Sequence, residues 1–199
     1  MSRTWLTRQR GVPTSAVAAM MATGMVLFVA VATAAAQGAG AEPTVTGPIP
    51  VTVSRGDPSH DFVFSPAAVD LAAHGYVEQE FFIEGTANRY TRAQMATAEV
   101  VDGGHAYKTR FVVRRPTAPA AFNGTVVVEW NNVTAGRDLD IDWFQSWPHF
   151  VRAGYAWVGV SAQRVGVDAL REWSPTRYGS LDVTHDGMAE RDELSYDIF

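Results

Sequence analysis

The sequence predicts an α/β fold in which antiparallel strands come first and a parallel βαβ unit follows. Residues 106–116 alternate polar and apolar side chains, as a strand with one face in the core does. Residues 124–130 and 153–163 are continuous apolar runs, which are typical of strands covered on both faces. Aromatic residues at helical spacing lie between these two runs, so we expect a helix there and a right-handed crossover between parallel strands.

The first 36 residues predict a secretory signal peptide. Three arginines lie within the first ten residues, and residues 11–41 carry no charge. Ala34 and Ala36 stand at the small −3 and −1 positions of an A-x-A cleavage site. We therefore expect a secreted or periplasmic protein without stable membrane association after cleavage. The alternative is an uncleaved membrane anchor, because about 20 apolar residues can span a bilayer.

The charge and the residue types exclude several classes of partner. Without residues 1–36 the chain has 13 basic and 21 acidic residues, a net charge of −8, which excludes nucleic acid as a partner. The 199 residues contain no cysteine, which excludes disulfides, thiolate metal sites and a cysteine nucleophile. No two of the five histidines have the i, i+4 spacing of a helical metal site. We predict no metal and no cofactor.

The remaining elements follow in chain order. Residues 37–58 are rich in Gly, Pro, Ala and Thr, which predicts a linker with an extended segment, and residues 59–199 form the domain. A strand is predicted over residues 76–84, followed by a turn at "GTAN". In the strand over residues 106–116 one face is expected in the core and the other in solvent. The predicted core face carries Tyr107, Thr109, Phe111 and Val113, and the predicted solvent face carries Lys108, Arg110 and Arg114.

The helix between the two apolar runs has acidic residues at its start, where the helix dipole favours them, and Gly154 at its end. Pro148 is expected to weaken it. After Gln163 we expect a long irregular region to about Glu190, with one short helix near residues 167–173, which is typical of a binding or lid segment. A final helix is predicted over residues 190–199, capped by Asp192 or Ser195, with Leu194 and Ile198 facing the core.

Four stretches carry a resemblance to a known family: "GTVVVEWNNVTAGRDLDIDWFQS", "RAGYAWVGVSAQRVGV", "RYGSLDVTHDG" and "LSYDIF". Residues 75–199 resemble the N-terminal part of the alpha/beta hydrolases, and more narrowly a largely uncharacterised bacterial family of alpha/beta hydrolase domain-containing proteins. The resemblance implies an alpha/beta-hydrolase sheet, with antiparallel first strands and then parallel βαβ crossovers. It also implies that the sequence ends before the nucleophile elbow.

The resemblance implies hydrolysis of a small-molecule carboxylic ester. In this fold the loop after the third strand supplies one donor to the oxyanion hole. The resemblance places that loop at residues 130–136, and Asn131 and Asn132 are the oxyanion-hole candidates. The alternative is that the Asn pair only forms a turn and caps the next helix, which Asn does routinely.

No catalytic residue is predicted in this chain. The sequence contains no G-x-S-x-G elbow, and Ser161 is interpreted as a polar residue at the end of a strand. His185 lies in the long loop and is a candidate for contact with substrate; the alternative is a loop histidine bonded to nearby backbone. We therefore expect the chain to be inactive alone. A second hypothesis is a secreted, non-catalytic binding module that uses residues 164–190.

Overall fold

The computed structural model describes residues 42–91, 97–189 and 191–199. The predicted signal peptide, residues 1–36, lies outside these ranges. The described residues form a five-stranded sheet in the order β1-β2-β3-β5-β4. Its strands are β1 (Thr44–Thr46), β2 (Tyr76–Tyr90), β3 (Val100–Pro116), β4 (Val126–Trp130) and β5 (Ala156–Val160). The pairs β1/β2, β2/β3 and β3/β5 are antiparallel and β4/β5 is parallel, which confirms the predicted α/β class.

Helices connect and cover these strands. They are α1 (Ile141–Ala153), α2 (Arg164–Trp173), α3 (Pro175–Tyr178) and α4 (Ser195–Ile198), with short 3-10 helices at Ala72–His74 and Pro119–Ala121. α1 is the predicted crossover between β4 and β5. It contains Pro148 and ends at Gly154, whose φ of 75° is the left-handed conformation that glycine adopts at helix ends. Within the described ranges, no helix is long and apolar enough to cross a membrane.

The β2–β3 hairpin is longer than predicted. The residues expected to form a turn, 85–88, lie inside β2, and the two strands pair from Tyr76 opposite Pro116 to Tyr90 opposite Val100. Pairing with β3 overrides the local turn preference of these residues. Gly85 contributes to the pairing because a Cβ there would lie 3.3 Å from the ring of Tyr107.

One face of β3 differs from the prediction. Arg110 and Arg114 were expected in solvent, but each residue is only 2% exposed. The guanidinium of Arg114 lies over the rings of Trp143 and Trp157, at 4.8 and 4.6 Å from their centroids. The side chains alternate between the two faces of β3 as predicted, but the sheet is covered on both faces here, so the polar face of this strand is also buried.

The apolar strand β4 also differs from the prediction. It was expected to be covered on both faces, yet Val126 and Val128 are each 50% exposed. β5 is its one partner within the described sheet, so β4 is an edge strand. The neighbouring run in β5 is buried as predicted, with Trp157 at 1% and Val160 at 8% exposure.

Residues 164–190 were expected to be largely irregular, and this expectation is wrong. They contain α2, which confirms the short predicted helix, and also α3. Their large side chains, including Val167, Leu170 and Tyr178, lie in a core cluster with Val160 of β5. The final helix starts at Ser195 instead of residue 190, and Leu194 and Ile198 are buried as predicted.

Candidate functional site

The carboxyl ends of the parallel strands β4 and β5 lie beside a groove. Ligands of open α/β sheets bind at this edge of the sheet. The groove encloses about 290 Å³, close to the lower end of the range for small-molecule pockets (roughly 300–1,000 Å³). Its lining residues are Tyr90, Trp130, Gln163, Arg191, Asp192, Glu193 and Tyr196. Its position at the ends of the parallel strands makes it the candidate substrate site.

Aromatic rings form one wall of the groove. The ring of Trp130, the last residue of β4, lies 5.5 Å from Tyr196 and 5.2 Å from Phe199, measured between centroids. Tyr90, at the end of β2, meets Tyr196 edge to face at 6.5 Å. The hydroxyl of Tyr90 donates a hydrogen bond to Asp197. This bond raises the pKa of Tyr90, so the hydroxyl keeps its proton and remains a donor. The wall offers flat apolar surface to an organic substrate.

Asp192 forms a polar part of the same groove and fixes it to the start of α2. Its carboxylate accepts a hydrogen bond from the backbone N–H of Arg164 at 2.9 Å, at the first residue of α2. The Gln163 side chain donates to the same carboxylate at 3.3 Å. Asp192 was a predicted cap of the final helix, but it caps α2 instead. The hydroxyl of Ser195, the other predicted cap, donates to the carbonyl of Ala162 at 2.7 Å.

The two oxyanion-hole candidates begin the loop after β4, next to Trp130. The backbone N–H of Asn131 donates to the carbonyl of Val160 at 3.1 Å, and that of Asn132 to the carbonyl of Leu139 at 3.0 Å. The side-chain oxygen of Asn132 accepts from the backbone N–H and the hydroxyl of Thr134, as in an Asx turn. The turn-forming alternative therefore describes Asn132 in this structure. An oxyanion role for either residue stays a prediction and requires a donor not engaged in these bonds.

Glu129 anchors the far end of this loop. It is the fourth residue of β4 and 4% exposed. Its carboxylate accepts from the backbone N–H groups of Asp142 and Trp143, at 3.0 and 3.1 Å, and from the indole N–H of Trp157 at 2.8 Å. Burial raises the pKa of Glu129, and the three hydrogen bonds oppose that shift. Glu129 therefore caps α1 from the strand that precedes the loop.

Two aspartates hold the loop against β3. Asp138 lies 3.4 Å from Arg110, and the carboxylate of Asp140 accepts from Arg114. The sequence predicts Asp138, Asp140 and Asp142 at a helix N-terminus. Asp140 is the N-cap residue of α1 and Asp142 lies in its first turn, whereas Asp138 precedes the helix. Residues 131–140 are thus tied to the sheet by charge pairs as well as by backbone. Sequence reasoning missed these pairs because it placed both arginines in solvent.

Ser161 belongs to the same buried network. It is fully buried, its hydroxyl donates to Asp138, and it accepts from the Nε of Arg110 at 3.1 Å. These bonds hold the carboxyl end of β5 to the loop. The interpretation of Ser161 as a polar residue at the end of a strand agrees with this arrangement.

Glu80 of β2 is the largest feature that sequence reasoning missed. It is 1% exposed and lies 2.8 Å from Arg110 and 2.7 Å from Arg177. The hydroxyl of Tyr178 donates to it at 2.8 Å, and burial is the main cause that raises the pKa of Tyr178 to about 12. The only sequence signal was a glutamate beside the apolar run "FFI" within a predicted strand.

His185 lies away from the groove lining. Its Nδ1 accepts from the backbone N–H of Ala106 in β3 at 2.8 Å, and its ring is 5.2 Å from that of His105. This is the backbone-bonded arrangement considered as the alternative; contact with substrate stays a prediction. No group of three or more His, Asp or Glu side chains in residues 42–91, 97–189 and 191–199 can hold a metal ion.

The mixed sheet, with a groove at the ends of its parallel strands, defines a protein of the α/β class. The chain belongs to the alpha/beta hydrolase family, because the model of a family described as an alpha/beta hydrolase domain matches residues 45–199. Searches of the curated proteins and of the solved structures found no match.

Proposed function

We propose that the protein is an exported hydrolase of small carboxylic esters. In this proposal the described residues supply the substrate groove and the oxyanion side of the site. The observation that carries it is the anchored loop 131–140, which leaves β4 beside the groove. In alpha/beta hydrolases a loop in this position provides an oxyanion donor. Its attachment to Glu129, Arg110 and Arg114 provides the preorganisation that oxyanion stabilisation requires.

The proposal assigns no nucleophile, base or acid to the described residues. The hydroxyl of Ser161 is buried and already donates to Asp138, so it is not available to attack an ester carbonyl. His185 is bonded to backbone through Nδ1. A serine on a G-x-S-x-G elbow would attack the carbonyl, and a histidine oriented by a carboxylate would act first as base and then as acid. We propose that these groups lie outside the described residues.

Export rests on the predicted signal peptide and the acidic charge of the rest of the chain. Mass spectrometry of the exported protein tests this part. A mature N-terminus at Gln37 is expected, whereas a protein that keeps residues 1–36 would be an anchored form and would contradict export in soluble form.

A hydrolysis assay tests the assignment of roles. Purified residues 37–199 and any longer in-frame product are assayed with p-nitrophenyl acetate and butyrate. We expect hydrolysis by the longer product and none above the buffer rate by residues 37–199. Hydrolysis by residues 37–199 that is lost in Ser161→Ala would overturn the proposed roles and make Ser161 the nucleophile.

A binding measurement tests the groove separately from catalysis. The indole N–H signal of Trp130 is followed by NMR while a short-chain ester is added to residues 37–199. Trp147, whose ring packs against His74, is the internal control. We expect the Trp130 signal to shift while the Trp147 signal does not; equal shifts at both would count against the groove.

The structure lends little support to the second hypothesis, a binding module built on residues 164–190. Such a module needs a contact surface in this segment. α2 and α3 instead turn their large side chains into the core, where Leu170 and Tyr178 are fully buried.

A further inference from the structure

A small cavity lies beneath the loop 131–140, against the polar face of β3. It holds about 20 Å³, and its lining includes Arg110, Arg114, Asn131, Asp138 and Asp140. Two of these residues carry a buried oxygen with no hydrogen-bond partner among the described residues: Oδ1 of Asn131 and Oδ1 of Asp138. The two residues are 5% and 3% exposed. Buried polar atoms in folded proteins are nearly always paired, so these two oxygens point to a ligand.

The sequence makes room for both oxygens with glycines. A Cβ at residue 159 of β5 would lie 2.2 Å from the ring of Trp157 and 2.8 Å from Oδ1 of Asn131, and a Cβ at residue 166 of α2 would lie 2.0 Å from Oδ1 of Asp138. Each acceptor therefore lies against bare backbone on one side. A larger residue at Gly166 would displace Oδ1 of Asp138, and one at Gly159 would collide with the Trp157 ring as well as with Oδ1 of Asn131.

The chemistry of the lining selects the ligand. Both unpaired atoms are acceptors, so the ligand must donate hydrogen bonds, which excludes an anion. Two carboxylates, Asp138 and Asp140, face two guanidiniums, Arg110 and Arg114, so the lining is neutral and gives no net attraction to a cation. A cavity of this volume accommodates one water molecule, for which about 10–15 Å³ is the minimum.

We propose that a single internal water molecule occupies this site. It donates one hydrogen to Oδ1 of Asn131 and the other to Oδ1 of Asp138. Its oxygen accepts from Arg110, which has five N–H groups and makes four hydrogen bonds within the described structure. The water joins the first residue of the loop to its eighth, so it is a structural link of the loop. The proposal does not depend on the hydrolase function.

A high-resolution crystal structure of the protein tests the site directly. We expect a density peak at hydrogen-bonding distance, about 2.7–3.2 Å, from both oxygens. A structure with no density there, or one in which the Asn131 amide donates directly to Asp138, would overturn the proposal. A peak at about 2.3–2.6 Å from three or more oxygens would indicate a metal ion instead and would overturn it as well.

A count of long-lived internal waters by ¹⁷O relaxation dispersion tests it in solution. Asn131→Leu removes the acceptor at similar side-chain size, and we expect the count to fall by one. Asn132→Leu is the matched control, because Asn132 bonds to Thr134 and is not part of the lining, and the count should stay unchanged. An unchanged count in Asn131→Leu would contradict the site. If that variant does not fold, the crystal structure of the unaltered chain decides.

Discussion

β3 and β4 lie on either side of β5 in the same sheet, and their side chains meet opposite surroundings. β3 carries Arg110 and Arg114, which are almost fully buried among carboxylates and aromatic rings. β4 carries Val126 and Val128, which are half exposed. The charged strand lies in the interior and the apolar strand at the edge. In this molecule burial follows the position of a strand in the sheet and the partners it finds there.

The difference also shows what each strand contributes. The buried arginines of β3 pair with carboxylates on β2 and on the loop 131–140, and the Arg110 guanidinium lies over the ring of Tyr178 in α3, so they connect elements that are distant in the sequence. A buried charge pair adds little net stability compared with apolar packing, but removing one partner is costly because the other stays buried. The apolar side chains of β4 have no charged partner that would stay buried and unpaired if they were removed. Substitutions on the two strands should therefore differ strongly in cost.

The largest effect is expected from Arg110→Ala. It leaves Asp138 without its cation and removes one of the two cations beside Glu80. We expect the free energy of unfolding to fall by about 3–5 kcal/mol. Urea unfolding followed by tryptophan fluorescence measures the change.

The matched control is Arg115→Ala, at the next exposed arginine of the same strand, which bonds to Gln79 at 2.9 Å on the surface. An exposed pair contributes at most about 1 kcal/mol. If both variants lost the same free energy of unfolding, burial would not make Arg110 more important for stability than Arg115.

Glu129→Gln should have the next largest effect. Gln places an NH₂ group among three N–H donors that now share one carboxylate. We expect the free energy of unfolding to fall by about 1–3 kcal/mol, because at least one buried donor loses its acceptor.

The pH dependence of stability should change in Glu129→Gln too. Because burial raises the folded-state pKa of Glu129, its contribution to stability is fullest below the ordinary glutamate range and falls as the pH rises through the raised value.

Thermal unfolding of the unaltered chain and of Glu129→Gln across the acidic range checks this sign. The difference in unfolding temperature between the two should become smaller as the pH rises through the raised pKa, if the hydrogen bonds contribute equally at each pH. A difference that grows over the same range would mean that the folded-state pKa of Glu129 is lowered.

A comparable effect should separate β5 from β4 at apolar positions on the same face of the sheet. Val160 of β5 is 8% exposed, and Val128 of β4, on the same face of the sheet, is 50% exposed. Val160→Thr buries a hydroxyl and should cost about 1–3 kcal/mol, whereas Val128→Thr should stay within about 0.5 kcal/mol. Chemical unfolding of both variants measures the difference. An equal cost would mean that the β4 edge is covered in solution.

The smallest effect concerns a surface pair at the start of β3, as a contrast with the buried arginines. Hydrogen bonds from Arg89 and from His105 lower the pKa of Asp102 to about 2. Its contribution to stability is present above the ordinary aspartate range and is lost as the pH falls through about 2. In Arg89→Gln we expect the pKa of Asp102 to rise, measured by NMR titration of its carboxyl carbon. Arg152→Gln, on α1, should leave it unchanged.

Much of the fold was predictable from local pattern. The alternation in residues 106–116 and the apolar runs of β4 and β5 identified three strands, and the spacing of aromatic residues identified α1. Gly154 ended that helix as predicted. The order of antiparallel and then parallel strands was also correct. These features depend on residues close to one another in the chain, which a sequence pattern reports directly.

The site was less predictable because it depends on distant partners. The burial of Glu80 follows from Arg177 and Tyr178, about 100 residues later in the chain, and no local pattern reports such a pairing. The exposure of Val126 depends on its place at the edge of the sheet. The Asn131 loop was located by resemblance, but its anchoring by Arg110 and Arg114 required the structure.

The strand order constrains how this sheet assembles. β5 pairs with β3 and β4 but is made after both, so β4 has no partner in the sheet until β5 is inserted beside it. The β2–β3 hairpin can form from neighbouring segments, whereas Phe111 meets Val160 only after a long loop closes. Long-range pairing of this kind slows folding. β5, the last strand of the described sheet to be synthesised, therefore completes the sheet. Until β5 is made, the β2–β3 hairpin and the unpaired apolar segment of β4 coexist, and the β4 segment can associate with other chains.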